Sequence, residues 1–362
     1  MSKPALKKQA SLTVGSLKSA LEKIKPGLSN KEYVPMFSCF CFEKTGVTAY
    51  SDVLGASIDL DTGIEGAIKA DALLTWLSAL VDGSVQVVPG EGKVKFSSGG
   101  STLTTPLIPP SEFLHEVPED WENMHEVTIT ESIVDGLTAC LETVGDEAAG
   151  PVFSCIAFDL FAATLYSTNG IAMSKYMVEM SEKETLDQTQ LLPQAFCRAL
   201  LGFFGGPTTP AAKLYVSPNL VMAWIEDAKA LVFSKVPDAE AMDYESELAS
   251  CLTTDDDENF IPVDPQFMSA LKRASAVCGE DKTASFSLEI KGKSVTLKGE
   301  GTVSALEQFD LTTPHKGDRK VFVNARALCS VLPLGAEFQV AEKVTAVRVV
   351  DKLLCLQAHL NV

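Results

Sequence analysis

The chain repeats itself. Phe37-Ser38-Cys39-Phe40-Cys41-Phe42-Glu43 returns as Phe153-Ser154-Cys155-Ile156-Ala157-Phe158-Asp159, and more faintly as Phe286-Ser287-Leu288-Glu289-Ile290. Tyr50-Ser51-Asp52 returns as Tyr166-Ser167-Thr168 at the same offset as the Phe-Ser pair. Lys18-Ser19-Ala20-Leu21-Glu22-Lys23 is echoed by Met268-Ser269-Ala270-Leu271-Lys272-Arg273, and Ala70-Asp71-Ala72-Leu73 by Ala325-Arg326-Ala327-Leu328. Matches that keep their order while their offsets drift slowly mark one supersecondary plan used several times. Three copies of roughly 120 residues, each near the usual domain size, fill a chain of 362 residues.

Each copy reads as two similar halves. In the first, Val14, Leu17, Leu21 and Ile24 recur at helical spacing, and Pro26-Gly27 ends the helix. Met36 to Phe42 and Val47 to Tyr50 read as paired strands around Lys44-Thr45-Gly46. A second helix carries Leu73, Leu74, Leu77 and Leu80, followed by strands Val85 to Val88 and Lys93 to Phe96 around the turn Pro89-Gly90-Glu91-Gly92. Ile133, Leu137, Cys140 and Val144, then Phe196, Leu200 and Phe203, mark the helices of the second copy. Phe267, Leu271, Ala274 and Cys278, then Ala325, Leu328 and Leu332, mark those of the third. The fold class is therefore α+β, with domains predicted at 1–124, 125–254 and 255–362. Pro109 to His125 and Thr253 to Asn259 read as linkers, and Asp255-Asp256-Asp257-Glu258 as solvated linker charge.

Chemical motifs are missing. His115, His125, His315 and His359 lack metal-ligand spacing, and Cys39 and Cys41, two apart on a strand, read as core. Gly99-Gly100 and Gly205-Gly206-Pro207 match neither a phosphate loop nor a dinucleotide fingerprint. No catalytic residue, metal or cofactor is expected, so the chain reads as a non-enzyme. Nine cysteines flanked by apolar residues suggest reduced thiols in the cytoplasm. No apolar run is long enough for a membrane span, and the start lacks the apolar segment of a secretory signal. A net charge of −18 disfavours a binder that grips DNA by neutralising its phosphates.

Three tandem copies of two helix-plus-sheet halves resemble the sliding-clamp family, the beta subunit of bacterial DNA polymerase III. The resemblance spans nearly the whole chain. It rests on Tyr50-Ser51-Asp52-Val53-Leu54, Ile68-Lys69-Ala70-Asp71-Ala72-Leu73, Ser97 to Pro106, Ser167-Thr168-Asn169-Gly170, Val236-Pro237-Asp238 and Val323-Asn324-Ala325-Arg326, taken in order. It implies three DNA-clamp domains per chain and a head-to-tail homodimer closing around double-stranded DNA, with helices inside and sheets outside. Its implied partners are a replicative DNA polymerase and a clamp loader, in a bacterial cell at the nucleoid or encoded by a bacteriophage. A linked ring tolerates the acidic balance, because leaving the DNA requires opening an interface, and weak contacts allow sliding.

The resemblance also implies positions. Lys18, Lys23, Lys31, Lys69, Arg198, Lys272, Arg273 and Arg326 would face the DNA. Phe153, Thr168, Gly170, Met173, Pro237, Asn324, His359, Leu360 and Val362 would form a partner-peptide cleft. Leu103 and Thr105 would meet Ala276 and Val277 of a second copy, a smaller and more polar junction than the family's. Where the family has His-Arg after Asp-Gly this chain has Ile171-Ala172, and its end, Gln357 to Val362, also departs. A clamp-like regulator or decoy that binds a polymerase or loader without encircling DNA is the alternative.

Overall fold

A computed structural model describes residues 12–29, 34–112, 118, 121, 123–206, 209–252, 259–277, 285–299 and 305–359. Lys31, Asp255 to Glu258, Leu360 and Val362 lie outside the described residues. One module, a strand, a helix and a three-stranded meander, recurs along the chain. It first occurs as α1 (Val14–Ile24), β1 (Cys39–Phe42), β2 (Gly46–Tyr50) and β3 (Leu54–Asp59), its opening strand reduced to the bridge between Thr13 and Ser84. Next come β4 (Gly66–Lys69), α2 (Ala70–Ser78), β5 (Gln86–Gly90), β6 (Lys93–Ser98) and β7 (Ser101–Pro106). The middle of the chain holds β8 (His125–Thr128), α3 (Glu131–Cys140), β9 (Cys155–Asp159), β10 (Thr164–Thr168) and β11 (Ala172–Met177). These are followed by β12 (Thr189–Pro193), α4 (Gln194–Leu201), β13 (Ala212–Val216), β14 (Leu220–Ile225) and β15 (Ala230–Lys235). After a connecting helix α5 (Tyr244–Cys251) come β16 (Ile261–Pro262), α6 (Pro265–Val277), β17 (Ser285–Lys291), β18 (Ser294–Gly299) and β19 (Ala305–Asp310). The last module is β20 (Arg319–Asn324), α7 (Ala325–Val331), β21 (Glu337–Val340), β22 (Val344–Val349) and β23 (Leu353–Ala358).

The opening strand of each module leaves its own meander. β4 pairs with β1, β12 with β9 and β20 with β17, while β8 pairs with β13 and β16 with β21. Neighbouring modules thus trade a strand, and in the sequence the helix of each module after the first follows a strand of one sheet and precedes a strand of another. The meanders then join edge to edge. One sheet has eight strands in the order β4-β1-β2-β3-β15-β14-β13-β8, and a second has the order β12-β9-β10-β11-β23-β22-β21-β16. Two smaller sheets, β5-β6-β7 and β19-β18-β17-β20, remain.

By packing, the chain forms two compact units, Met1–Ile129 with Ala195–Val236, and Thr130–Gln194 with Pro237–Val362. Each long sheet lies within one unit.

Local chemistry fixes the elements. Thr13 and Ser16 form a capping box on α1, whose Val14, Leu17, Ala20, Leu21 and Ile24 are buried. Each fully buried Leu or Ile adds about 1.5–3 kcal/mol of hydrophobic stabilisation. Thr130 caps α3, and Asn324 caps α7 by accepting from the Ala327 amide. Beyond the end of α3, Thr143 Oγ1 shares hydrogen bonds with Ser167 (2.6 Å) and Ser174 (2.7 Å), all three fully buried, tying the helix end to β10 and β11.

Two local expectations change. Pro35–Ser38 is a 3₁₀ turn, not strand: Pro35 fixes its own φ, and Ser38 Oγ donates back to the Pro35 carbonyl at 2.8 Å. Pro89 and Gly90 belong to β5, paired with Val94 and Lys93, so the turn is Glu91-Gly92 with Gly92 at φ +63°.

The third repeat also shifts. Cys39, Cys155 and Ser285 stand opposite Lys69, Pro193 and Asn324, the residues just before α2, α4 and α7. In that register Phe286 corresponds to Phe40 and Ile156, three positions from the Phe-Ser match.

Candidate DNA-facing surface and partner cleft

Of the described cations expected to face DNA, all but Lys69 sit on helices, and Lys69 ends β4 as the N-cap residue of α2. In the first unit, Lys18 on α1 pairs with Glu22 one turn on at 3.8 Å, and Lys23 lies over the Phe203 ring at 5.5 Å. Lys69, at the start of α2, and Arg198 on α4 are exposed. Lys25 is also exposed just past α1, a cation not among the positions that the resemblance implies.

In the second unit, Lys272 and Arg273 are exposed on α6. Arg273 is committed elsewhere: its guanidinium grips both oxygens of Glu307 on β19, at 3.1 and 2.7 Å. The pair holds the Glu307 carboxyl below its ordinary range. Arg326 lies in α7. The helix α3 carries Glu131 and Asp135 and no cation. Asp135 pairs with Lys352 at 3.4 Å.

The cleft residues cluster about the seam where β11 meets β23. Met173 stands opposite Leu356, and Thr168 opposite Met173. Thr168 is buried; its hydroxyl donates to the Ala172 carbonyl (2.9 Å) and accepts from the Gly170 amide (3.1 Å). Gly170 sits at φ +82°, where an L side chain would be strained. The Ala358 amide donates to Ile171 at 2.7 Å, and His359 bridges Val323, bringing Asn324 to the same end of the seam.

The His359 ring is pinned. Its Nδ1 faces the Glu342 carbonyl at 3.1 Å, which only accepts, so Nδ1 carries the proton and Nε2 accepts from the Thr345 hydroxyl at 3.1 Å. Burial lowers its pKa. Phe153 lies in the turn before β9, its carbonyl accepting from Gly145 at 2.7 Å, and Pro237 lies half-buried after β15. Sequence reading missed Leu356, while Ile171, noted there as a departure, is 39% exposed. The alternation Leu354-Cys355-Leu356 was the available signal for Leu356.

The equivalent seam of the first unit differs. Leu54 to Ile58 of β3 pair with Ala230 to Ser234 of β15, and the Lys235 amide donates to Val53. Phe233 and Tyr50 stack at 6.1 Å, with Phe37 edge-on to Tyr50 at 5.7 Å. This seam fills itself with its own aromatic rings and ends in a lysine, whereas the second unit's seam carries Met173, Leu356 and an exposed Ile171.

Two sheet edges are relevant to a junction. In the first unit, β7 borders its sheet with Leu103 half-buried and Thr105 buried. In the second, β19 presents Leu306, 62% exposed, while Phe309 packs on Phe267 at 5.8 Å. Ala276 is exposed near the end of α6, and Val277 is its last residue. Among the described residues no cluster of His, Cys, Asp and Glu could hold a metal ion, and no helix is long and apolar enough to cross a membrane.

Solved structures align with this architecture from end to end. The beta subunit of DNA polymerase III from Thermotoga maritima superposes with a TM-score of 0.79 at 14% identity, covering 97% of this chain and 99% of its own. The Bacillus subtilis DNA polymerase sliding clamp gives 0.78 at 12% identity over 98% and 100% of the two chains. The C. crescentus beta sliding clamp gives 0.77 at 16% identity over 97% and 99%. The chain has the sliding-clamp fold. No protein-family model and no curated protein sequence matches it. The clamp fold is thus carried by module order and strand pairing, with little sequence in common.

Proposed function

We propose that this chain is a DNA sliding clamp, a polymerase processivity factor. In this reading each chain contributes three clamp domains (1–124, 125–254, 255–362), and two chains close head to tail around duplex DNA. Lys18, Lys23, Lys69, Arg198, Lys272 and Arg326 face the duplex, and a loader opens the ring. A short peptide of a replicative polymerase docks at the Met173–Leu356 seam, with Thr168, Gly170, Asn324 and His359 around it.

One observation carries the reading. Sheets join through the last strand of a meander, and β3 with β15 and β11 with β23 use four such strands. Among the described residues the other two, β7 and β19, stay open, one in each unit. A heterologous contact between unlike edges closes a ring when the rotation allows, and closure removes both edges.

The test loads the protein onto nicked circular DNA with its loader. Retention on circles and release on linearisation is the expected result; equal retention on both defeats the reading. A strict monomer at micromolar concentration would instead favour the non-encircling regulator. The Arg273–Glu307 pair supports that second reading, because it neutralises β19 charge within one protomer.

A further inference from the structure

Three of the most exposed large apolar side chains among the described residues lie at one end of the second unit's long sheet. They are Phe161, Met177 and Val350, at 70%, 48% and 58% exposure. Backbone hydrogen bonds gather them. The Met177 amide donates to the Lys352 carbonyl at 2.8 Å and the Val178 amide to Ala163 at 2.9 Å. The β9–β10 tip, the end of β11 and the β22–β23 tip therefore meet. The Asp159 carboxylate accepts from the amides of Phe161 and Ala162 at 2.9 and 2.8 Å, so Phe161 stands on a built turn. Between β11 and the β22–β23 tip lies a groove of about 440 Å³, with Lys175, Met177, Arg348, Val350, Lys352 and Leu354 in its lining, and Phe161 stands outside that lining.

Its lining is cationic, and the carboxylates that pair with it stand outside the lining. The lining has three cations, Lys175, Arg348 and Lys352, against one carboxylate, Asp351, in a chain of net charge −18. Each cation is held in place: Lys175 by Glu245 (2.6 Å), Arg348 by Glu337 (2.9 Å) and over the Phe260 ring (3.9 Å), and Lys352 by Asp135 (3.4 Å). The Lys352–Asp135 pair is the most exposed of the three, at 46% and 52%, and an ion pair in solvent contributes only about 0–1 kcal/mol, so an incoming carboxylate can replace Asp135 there at little cost. The apolar rim supplies what such a surface pair lacks. Contiguous exposed apolar surface with a polar border marks a protein contact, whereas a nucleic-acid backbone would leave Phe161, Met177 and Val350 uncovered.

The groove is separate from the partner cleft. Met173 and Met177 share a face of β11 about 13 Å apart at the strand rise, with the Glu245–Lys175 pair between them.

We propose that this groove is a second docking site, taking a short partner-protein segment that carries a carboxylate beside a large apolar side chain. Methyl-labelled methionine in the full chain tests it, with Met177 reporting the groove, Met173 the cleft, and Met177→Leu giving the assignment. Titration with a peptide of alternating Glu and Leu is expected to move the Met177 signal and leave Met173 unmoved. Val350→Asp with Lys352→Glu is expected to weaken binding about tenfold or more at unchanged melting temperature, as is added salt in the parent. The proposal is overturned if no signal moves or if only Met173 responds. It is equally overturned if a Lys-and-Leu peptide binds as well, or if a DNA duplex moves Met177.

Discussion

At the scale of single residues, the seam of the first unit depends on an absent side chain. A Cβ at Gly55 would lie 2.1 Å from the Phe233 ring, which is buried over it. Gly55→Ala is expected to destabilise by about 1–3 kcal/mol through overpacking, read as a lower denaturant midpoint, and Phe233→Leu in the same chain should recover part of the loss. His315 is equally constrained. Its Nδ1 meets the Gly317 carbonyl at 3.0 Å and its Nε2 accepts from the Val340 amide at 3.1 Å, so the folded ring is neutral. Burial, with Arg319 nearby, lowers its pKa below the ordinary 6.5, and burial lowers that of His359 too. The unfolded chain therefore binds more protons below that value. The stability these rings contribute is full above about pH 6.5 and is lost as pH falls toward their folded pKa. Melting temperature is expected to drop between about pH 7.5 and pH 5, and His315→Gln should flatten that drop. None of this was legible in the sequence, where His315 was a scattered histidine and Gly55 an ordinary glycine. Their roles come from partners that the fold brings in.

At the scale of elements, amphipathic spacing was legible because a helix reports its buried face within one turn. Leu21 and Leu271, and Leu73 and Leu328, are buried at matching places, as their echoed sequences implied. Hairpin pairing was legible too, as in β1 with β2 and β5 with β6, but pairing between modules was not. Nothing local says that β3 joins β15, and the faint third repeat was read three positions out of register because buried strands accept Phe, Ile or Cys alike. The candidate site divides the same way. Lys272 and Arg273 were placed on an exposed helix face, but Glu307, which grips Arg273, lies 34 residues away. The two cations should therefore behave differently. Lys272→Glu with Arg198→Glu is expected to reduce retention on circular DNA several-fold at unchanged melting temperature, with a weaker salt dependence. Arg273→Glu sets a carboxylate against Glu307, and should also weaken self-association. Equal effects on self-association from both variants would show that the ion pair has no part at the β19 edge.

At the scale of the whole molecule, the open edges make a mass prediction. Sedimentation at micromolar concentration is expected to give twice 38.7 kDa. Leu306→Lys, on the exposed side of β19, should weaken that dimer about tenfold or more without unfolding the chain, since an edge lysine discourages strand pairing. The repetition was legible because duplication leaves ordered matches. The trade of opening strands between neighbouring modules left no such mark, because β8 and β16 are too short to carry a pattern.

The β11–β23 seam carries one more implication. It joins segments nearly two hundred residues apart by backbone pairing at Ala172 to Tyr176 against Leu353 to Gln357. That backbone pairing needs no unbroken chain between α5 and β16. A chain severed there and expressed as two polypeptides should reassemble by fragment complementation. The linker would then act as a leash that raises local concentration, and the sheet would supply the adhesive.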